Sequence, residues 1–385
     1  MIIPERGIND GQRGGSVYNK RGIDKIDAVS TWKLVYNRVH RGERGVILMT
    51  NKPIKVFRGD YLESTHEFHA AVVDRTGRLL YSYGDPKRLT FARSSMKPFQ
   101  AIPLIETGAA AHFQFEPKEI AISCASHSGE AFHRETVLGI LKKIGLSMDD
   151  LQCGTHRPHR DEDYRALIRS GQELTPLYSN CSGKHSGMLA TAVYMKEDPA
   201  TYREVHHPVQ QRILQVISEI AETPVEEIAI AVDGCGVPVH RLPLEKTAYA
   251  YAQLASGRSD KHPEHDEALH IIRDAMMAHP EMVCGTDRFD TDVMNLFPGK
   301  IVSKGGAEGV QCVGLVEEGI GVIVKCEDGS ARALGAITLK ILEDIGFVKD
   351  IPDKDVYDKY RHPGVFNMRK ERIGRIEADF ELQKA

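Results

Sequence analysis

Residues 309–326 read GVQCVGLVEEGIGVIVKC, two apolar runs of strand length (309–316 and 319–326) on either side of Glu317-Glu318-Gly319. Glycine after two charged residues marks a turn, and the runs are too short and too rich in valine and isoleucine to read as one helix. A helical period follows over 330–345. Two strands joined directly and then a terminal helix fit an antiparallel sheet, since a doubly wound parallel sheet would need a helix between the strands.

Upstream, KVFRGD and EFHAAVVDRTGRLLYSYGD (55–60 and 67–85) hold strand-like runs, the latter turning at Arg75-Thr76-Gly77. Apolar residues at three- and four-residue spacing predict helices over 95–108, 130–145, 184–196, 207–221, 244–256, 264–279 and 330–345. Shorter strands are expected at 119–124, 227–232 and 300–304. The layout is α+β: an antiparallel sheet from the N- and C-terminal parts, with a helix-rich middle. Residues 1–50 are rich in Gly, Arg, Asn and Asp and are expected as a poorly ordered extension. Residues 29–40, with the single Trp32, read alternatively as an ordinary first element. Residues 51–347 form the expected catalytic domain and 348–385 a C-terminal tail.

The 385 residues are 41% apolar and 27% charged, an ordinary globular composition. With 54 acidic and 50 basic residues the net charge is −4, which gives no global field toward nucleic acid or anionic lipid. Small neutral or zwitterionic substrates suit that balance. No apolar run approaches the ~20 residues of a membrane helix, and the start lacks a signal-peptide pattern, so a cytoplasmic location is expected. Seven scattered cysteines, an odd number, are expected as reduced thiols or metal ligands rather than a disulfide framework.

Chemistry concentrates in Arg93-Ser94-Ser95-Met96-Lys97. On a helix Ser94 and Lys97 share a face, so the amine reaches the hydroxyl. A serine needs a base to become a nucleophile, and a desolvated lysine serves as one. The plain alternative is a capping serine before a solvated lysine. Ser126-His127-Ser128-Gly129 follows the expected strand 119–124, and Lys304-Gly305-Gly306 ends another. The latter resembles the Lys-Thr-Gly of penicillin-recognising enzymes with glycine in place of threonine. Cys181-x3-His185 and Cys235-x4-His240 offer thiolate and imidazole to zinc. Packing as buried free thiols, or a cysteine–histidine nucleophile, explains the same residues.

Taken together, RSSMKPFQAIPLIETGA, CASHSGE, NCSGKHSGMLA, HPVQ, VDGCGVP and KGGAEGVQC resemble, in order and spacing, the asparaginase II family, the Rhizobium etli type of L-asparaginase, over roughly residues 54–346. The resemblance implies a fold similar to serine β-lactamases and glutaminases, and hydrolysis of L-asparagine to L-aspartate and ammonia. It implies two serine–lysine pairs, Ser94 with Lys97 and Ser126 with Lys304, and zinc on Cys181, Lys184 and Cys235. Arg93, His127, His185 and Asp233 are the expected substrate-binding residues, with zinc orienting the substrate rather than activating water. Relatives suggest a homodimer. A glutamine-preferring amidohydrolase, a β-lactamase-fold peptidase or binding protein, and a zinc-stabilised module without catalysis are the competing readings.

Overall fold

The structure, a computed structural model, describes residues 52–385. The expected hairpin over 309–326 is present as β9 (Val310–Leu315) and β10 (Ile320–Cys326), paired antiparallel from Ile320↔Leu315 to Lys325↔Val310. On the other side β10 pairs with β3 (Phe68–Asp74), which turns through Arg75-Thr76-Gly77 into β4 (Leu79–Tyr83). With β8 (Ile301–Gly306) and the short β13 (Gln383–Lys384), the sheet order is β13-β4-β3-β10-β9-β8, antiparallel throughout. N- and C-terminal parts thus share one sheet, and the class is α+β.

All but the first residue of β10 are buried, because the helix Leu244–Ser256 packs on one face of the sheet and Leu334–Asp344 also packs against it. A strand covered on both faces has no reason to alternate, hence its continuous apolar run. At Gly321 the first of these helices comes so close that a Cβ would fall on the carbonyl oxygen of Ala248.

Two smaller antiparallel sheets complete the described strands. One has the order β11 (Gly364–Phe366), β12 (Arg372–Ala378), β1 (Ile54–Arg58), β2 (Tyr61–His66); the other has β5 (Leu89–Phe91), β7 (Pro238–Pro243), β6 (Ala229–Val232). The residues after 347, set apart in sequence as a tail, therefore hold a helix (Lys354–Arg361), pair β12 along β1 and add β13 to the main sheet. β11 and β13 are short strands at sheet edges, and β12, between β11 and β1, buries only Ile376, so these segments carry little apolar signal. The expected extension 1–50 and the element around Trp32 lie outside the described residues.

Two expectations near the site need correction. Residues 119–124 are not a strand: Pro117–Ser123 is a helix, started by Pro117 at its first position and by a capping box between Glu116 and Glu119. The helix expected over 95–108 is broken into a 3-10 turn (Arg93–Met96) and two short helices (Lys97–Gln100, Ile102–Glu106). Pro98 and Pro103 each lack an N–H and cannot sit inside a continuous helix.

Replacing Gly321 by valine forces the helix Leu244–Ser256 off the sheet; overpacking of this kind costs about 1–3 kcal/mol or more, read as a lower urea midpoint with unchanged slope.

Candidate active site

Lys97 opens its short helix directly after the Arg93–Met96 turn and is fully buried. Its Nζ donates to the Ser126 hydroxyl (2.9 Å) and the Ala125 carbonyl (2.5 Å), and lies 3.3 Å from Cys181 Sγ. Loss of water at this depth, helped by the positive charges of Lys184 and Lys304 and opposed by Cys181, holds its pKa below the usual lysine value. An amine in that state can accept a proton. The hydroxyl it touches is that of Ser126, not that of Ser94 suggested by three-residue spacing.

Ser94 nevertheless shares a cleft with Ser126, His127 and Lys304, a cavity of ≈660 Å³. Arg93, just before it, has a left-handed backbone (φ 53) that non-glycine residues avoid, and its Nε donates to Asp233 Oδ1 at 2.8 Å. Strain in the residue before a candidate nucleophile, held by an ion pair, is a feature of functional turns.

Ser126 sits in the loop after the helix Pro117–Ser123, tied back by its N–H to Val283 O (2.9 Å). The next residues are fastened by Glu130, whose carboxylate accepts from Ser128 Oγ (2.6 Å), Thr286 N (2.9 Å), Thr286 Oγ1 (2.8 Å) and Arg160 Nη1 (3.2 Å). Burial alone would raise its pKa, yet these donors bring it down to about 2. His127 is buried, with Nε2 2.8 Å from Ser182 Oγ and its ring stacked on His133; burial, with nearby positive charges, keeps it neutral.

Lys304 lies on β8, buried, donating to Gly305 O (2.8 Å) with Asp290 Oδ2 at 4.0 Å. Asp290, on the helix Phe289–Leu296, also accepts from Ser303 Oγ, Gln311 Nε2 and Gly305 N at 2.7–2.8 Å. Neither Glu130 nor Asp290 was singled out from sequence: a lone carboxylate carries no spacing signal. Arg288, His156, His159 and Tyr360 line the same cleft and were missed for the same reason.

Cys181, Lys184 and Cys235 do converge. Lys184 Nζ donates to Cys235 Sγ at 3.0 Å, and Asp233 Oδ2 is 3.9 Å from the same sulfur. Cys181 is drawn well below the usual thiol range, first by a hydrogen bond from Cys235, then, against burial, by Lys97 and Lys184; the same bond pushes Cys235 up. Burial disfavours the Lys184 ammonium, but Cys181, Cys235 and Asp233 together outweigh it and its pKa rises. Two sulfurs, an amine and a carboxylate oxygen form a donor set that suits zinc, which would take the place of the Lys184 proton. The helix carrying Cys181 at its N-cap and Lys184 approaches the helix Pro117–Ser123 closely at Gly183, where a Cβ would strike the Ile122 carbonyl. His185 is fully buried behind this group, with Nδ1 2.6 Å from Tyr202 Oη and Nε2 unpartnered. Arg93, Asp233 and His185 are not part of the cleft lining.

The L-asparaginase II family model matches residues 54–378. The chain belongs to that family. The match extends into the strands after residue 347. No curated protein matches it. Similar solved structures include Mglu in its native form in the presence of 4.3M NaCl, at 14% identity over 74% of this chain and 63% of that one, with a TM-score of 0.42. The D-alanine carboxypeptidase AmpC from Burkholderia cenocepacia matches at 15% identity over 79% of this chain and 95% of that one, TM-score 0.34. A putative beta-lactamase from Bacteroides dorei DSM 17855 matches at 12% identity over 82% and 99%, TM-score 0.37. This chain thus spans 63% of the Mglu chain. Among the described residues no helix is long and apolar enough to cross a membrane.

Glu130 binds protons less readily folded than unfolded, so its contribution to stability is complete above pH 4.5 and is lost as pH falls toward about 2. In Glu130→Gln protein this acid dependence disappears, and denaturation midpoints of variant and parent, separate at neutral pH, approach each other in acid.

Proposed function

We propose that the chain is an L-asparaginase that hydrolyses the side-chain amide of L-asparagine through an acyl-enzyme on Ser94. The observation that carries this reading is the buried Lys97 amine, 2.9 Å from Ser126 Oγ, in a family member whose Ser94, Ser126 and Lys304 share one cleft. Ser94 Oγ attacks the amide carbon, and its proton passes by way of the Ser126 hydroxyl to the neutral Lys97 that Ser126 contacts. The Ser126 hydroxyl, bonded to the same amine, then delivers a proton to the leaving nitrogen. Ammonia departs, and water cleaves the ester by the reverse path to release L-aspartate.

Lys304, in the same cleft lining as Ser126, is placed to favour the charge that builds on the substrate oxygen. Arg93 and Asp233, paired at 2.8 Å outside the cleft lining, would reach the α-carboxylate and α-ammonium of the substrate only on parting from each other. His127, neutral, and His185, buried behind the metal loop, shape that end. Zinc on Cys181, Lys184 and Cys235 would supply Lewis-acid charge for orienting the substrate rather than an activated water. The zinc and a homodimeric state are supported by the family resemblance.

Glutamine is longer by one methylene, worth only ~1–3 kcal/mol of discrimination in a pocket. Ammonia release from asparagine, glutamine and a β-lactam substrate separates the readings: asparagine turnover supports ours, and β-lactam turnover alone overturns it. Lys97→Met should lower kcat roughly 10²–10⁴-fold. Because Lys97 must be neutral, kcat should rise with pH through its lowered pKa, a limb that the methionine variant lacks. Ser94→Ala protein with near-normal turnover would sink the assignment of the nucleophile.

A further inference from the structure

A second cluster of ligating side chains lies on residues that take no part in the cleft. His262-Pro263-Glu264-His265 forms a 3-10 turn at the start of the helix Asp266–Ala278, facing Glu219 near the end of the helix Pro208–Ile220. His262, His265, Glu219 and Glu264 each offer one ligand atom, all within 4.8 Å of one another. The turn is built rather than floppy: Ser259 Oγ accepts from His262 N (3.2 Å), Asp266 accepts from Ser259 N (2.7 Å), and Pro263 fixes the first helical position.

His265 is the centre. Its side chain is only 3% exposed, with Nδ1 2.5 Å from Glu106 Oε1 and Nε2 3.0 Å from Glu219 Oε2. Gln215 Nε2 donates to the other oxygen of Glu219 at 2.6 Å and so aims Oε2 at the ring. His262 Nδ1 lies 3.1 Å from Glu264 Oε1. A histidine whose Nδ1–H is held by a carboxylate presents Nε2 as a lone pair of fixed direction, the carboxylate–histidine–metal arrangement. Two imidazoles and two carboxylates make up the donor set, the carboxylates matching the charge of a divalent cation.

We infer that His262, His265, Glu219 and Glu264 form a second metal site, for a divalent transition ion such as zinc, with Glu106 orienting His265. Around tetrahedral zinc, with bonds of about 2.0–2.2 Å, neighbouring ligand atoms lie ~3.3 Å apart, so the cluster closes with small side-chain rotations. The ion joins the helix Ile102–Glu106, the helix Pro208–Ile220 and the turn before Asp266–Ala278. Nitrogen and oxygen donors distinguish this site from the sulfur-rich one.

Chelator-stripped full-length protein is titrated with Co²⁺ and with Zn²⁺, following spectra and bound metal per chain. His262→Ala should bind one equivalent fewer than the parent chain, losing a nitrogen–oxygen cobalt spectrum without thiolate charge transfer. Cys235→Ser should retain that same spectrum, which keeps failure here separate from failure of the cysteine site. Glu106→Gln should weaken zinc binding about 10–100-fold without removing the equivalent. Equal stoichiometry in the parent and His262→Ala, with the cluster acting only as an ion-pair network, overturns the inference.

Discussion

The site is organised around one buried cation-forming group. Placing the Lys97 amine at full burial is costly unless it gives up its charge or is richly bonded. Here both conditions are approached: the Ser126 hydroxyl, the Ala125 carbonyl and Cys181 surround it, and burial lowers its pKa. Because its partners come from the loop after one helix and the start of another, the amine joins the serine cleft to the cysteine–lysine group.

That junction works only if the surrounding loops hold still. Glu130 draws Ser128, Thr286 and Arg160 together and so pins the Ser126 loop to the segment near Cys284. Asp290 does the same for β8 and β9, taking hydrogen bonds from Ser303, Gly305 and Gln311 beside Lys304. Each carboxylate, buried and multiply bonded, would be expensive to leave unpaired, which makes these loops rigid supports for the reacting groups.

The two ligand clusters follow different chemistry. Around Lys184 the Cys181 sulfur and the Asp233 carboxylate carry charge that the amine compensates. Around His265 the charge lies on carboxylates, and the imidazole is the bridging group. Soft donors and hard donors are thereby kept in separate places in one chain.

Apolar periodicity was enough to read the hairpin over 309–326, the turn at Arg75-Thr76-Gly77, most long helices and the α+β class, because burial on both faces of β10 and on one stripe of each helix is a local property of the pattern. The order of motifs likewise pointed to the family and to Cys181, Lys184 and Cys235 as neighbours. What tertiary structure decided was partnership. Lys97, opening a short helix, meets Ser126 in the loop after the helix Pro117–Ser123, a contact between segments that spacing along the chain does not record. Strands β12 and β13 pair with strands begun at residues 54 and 79, pairings set by hydrogen bonds between segments some 300 residues apart, a separation no local pattern records.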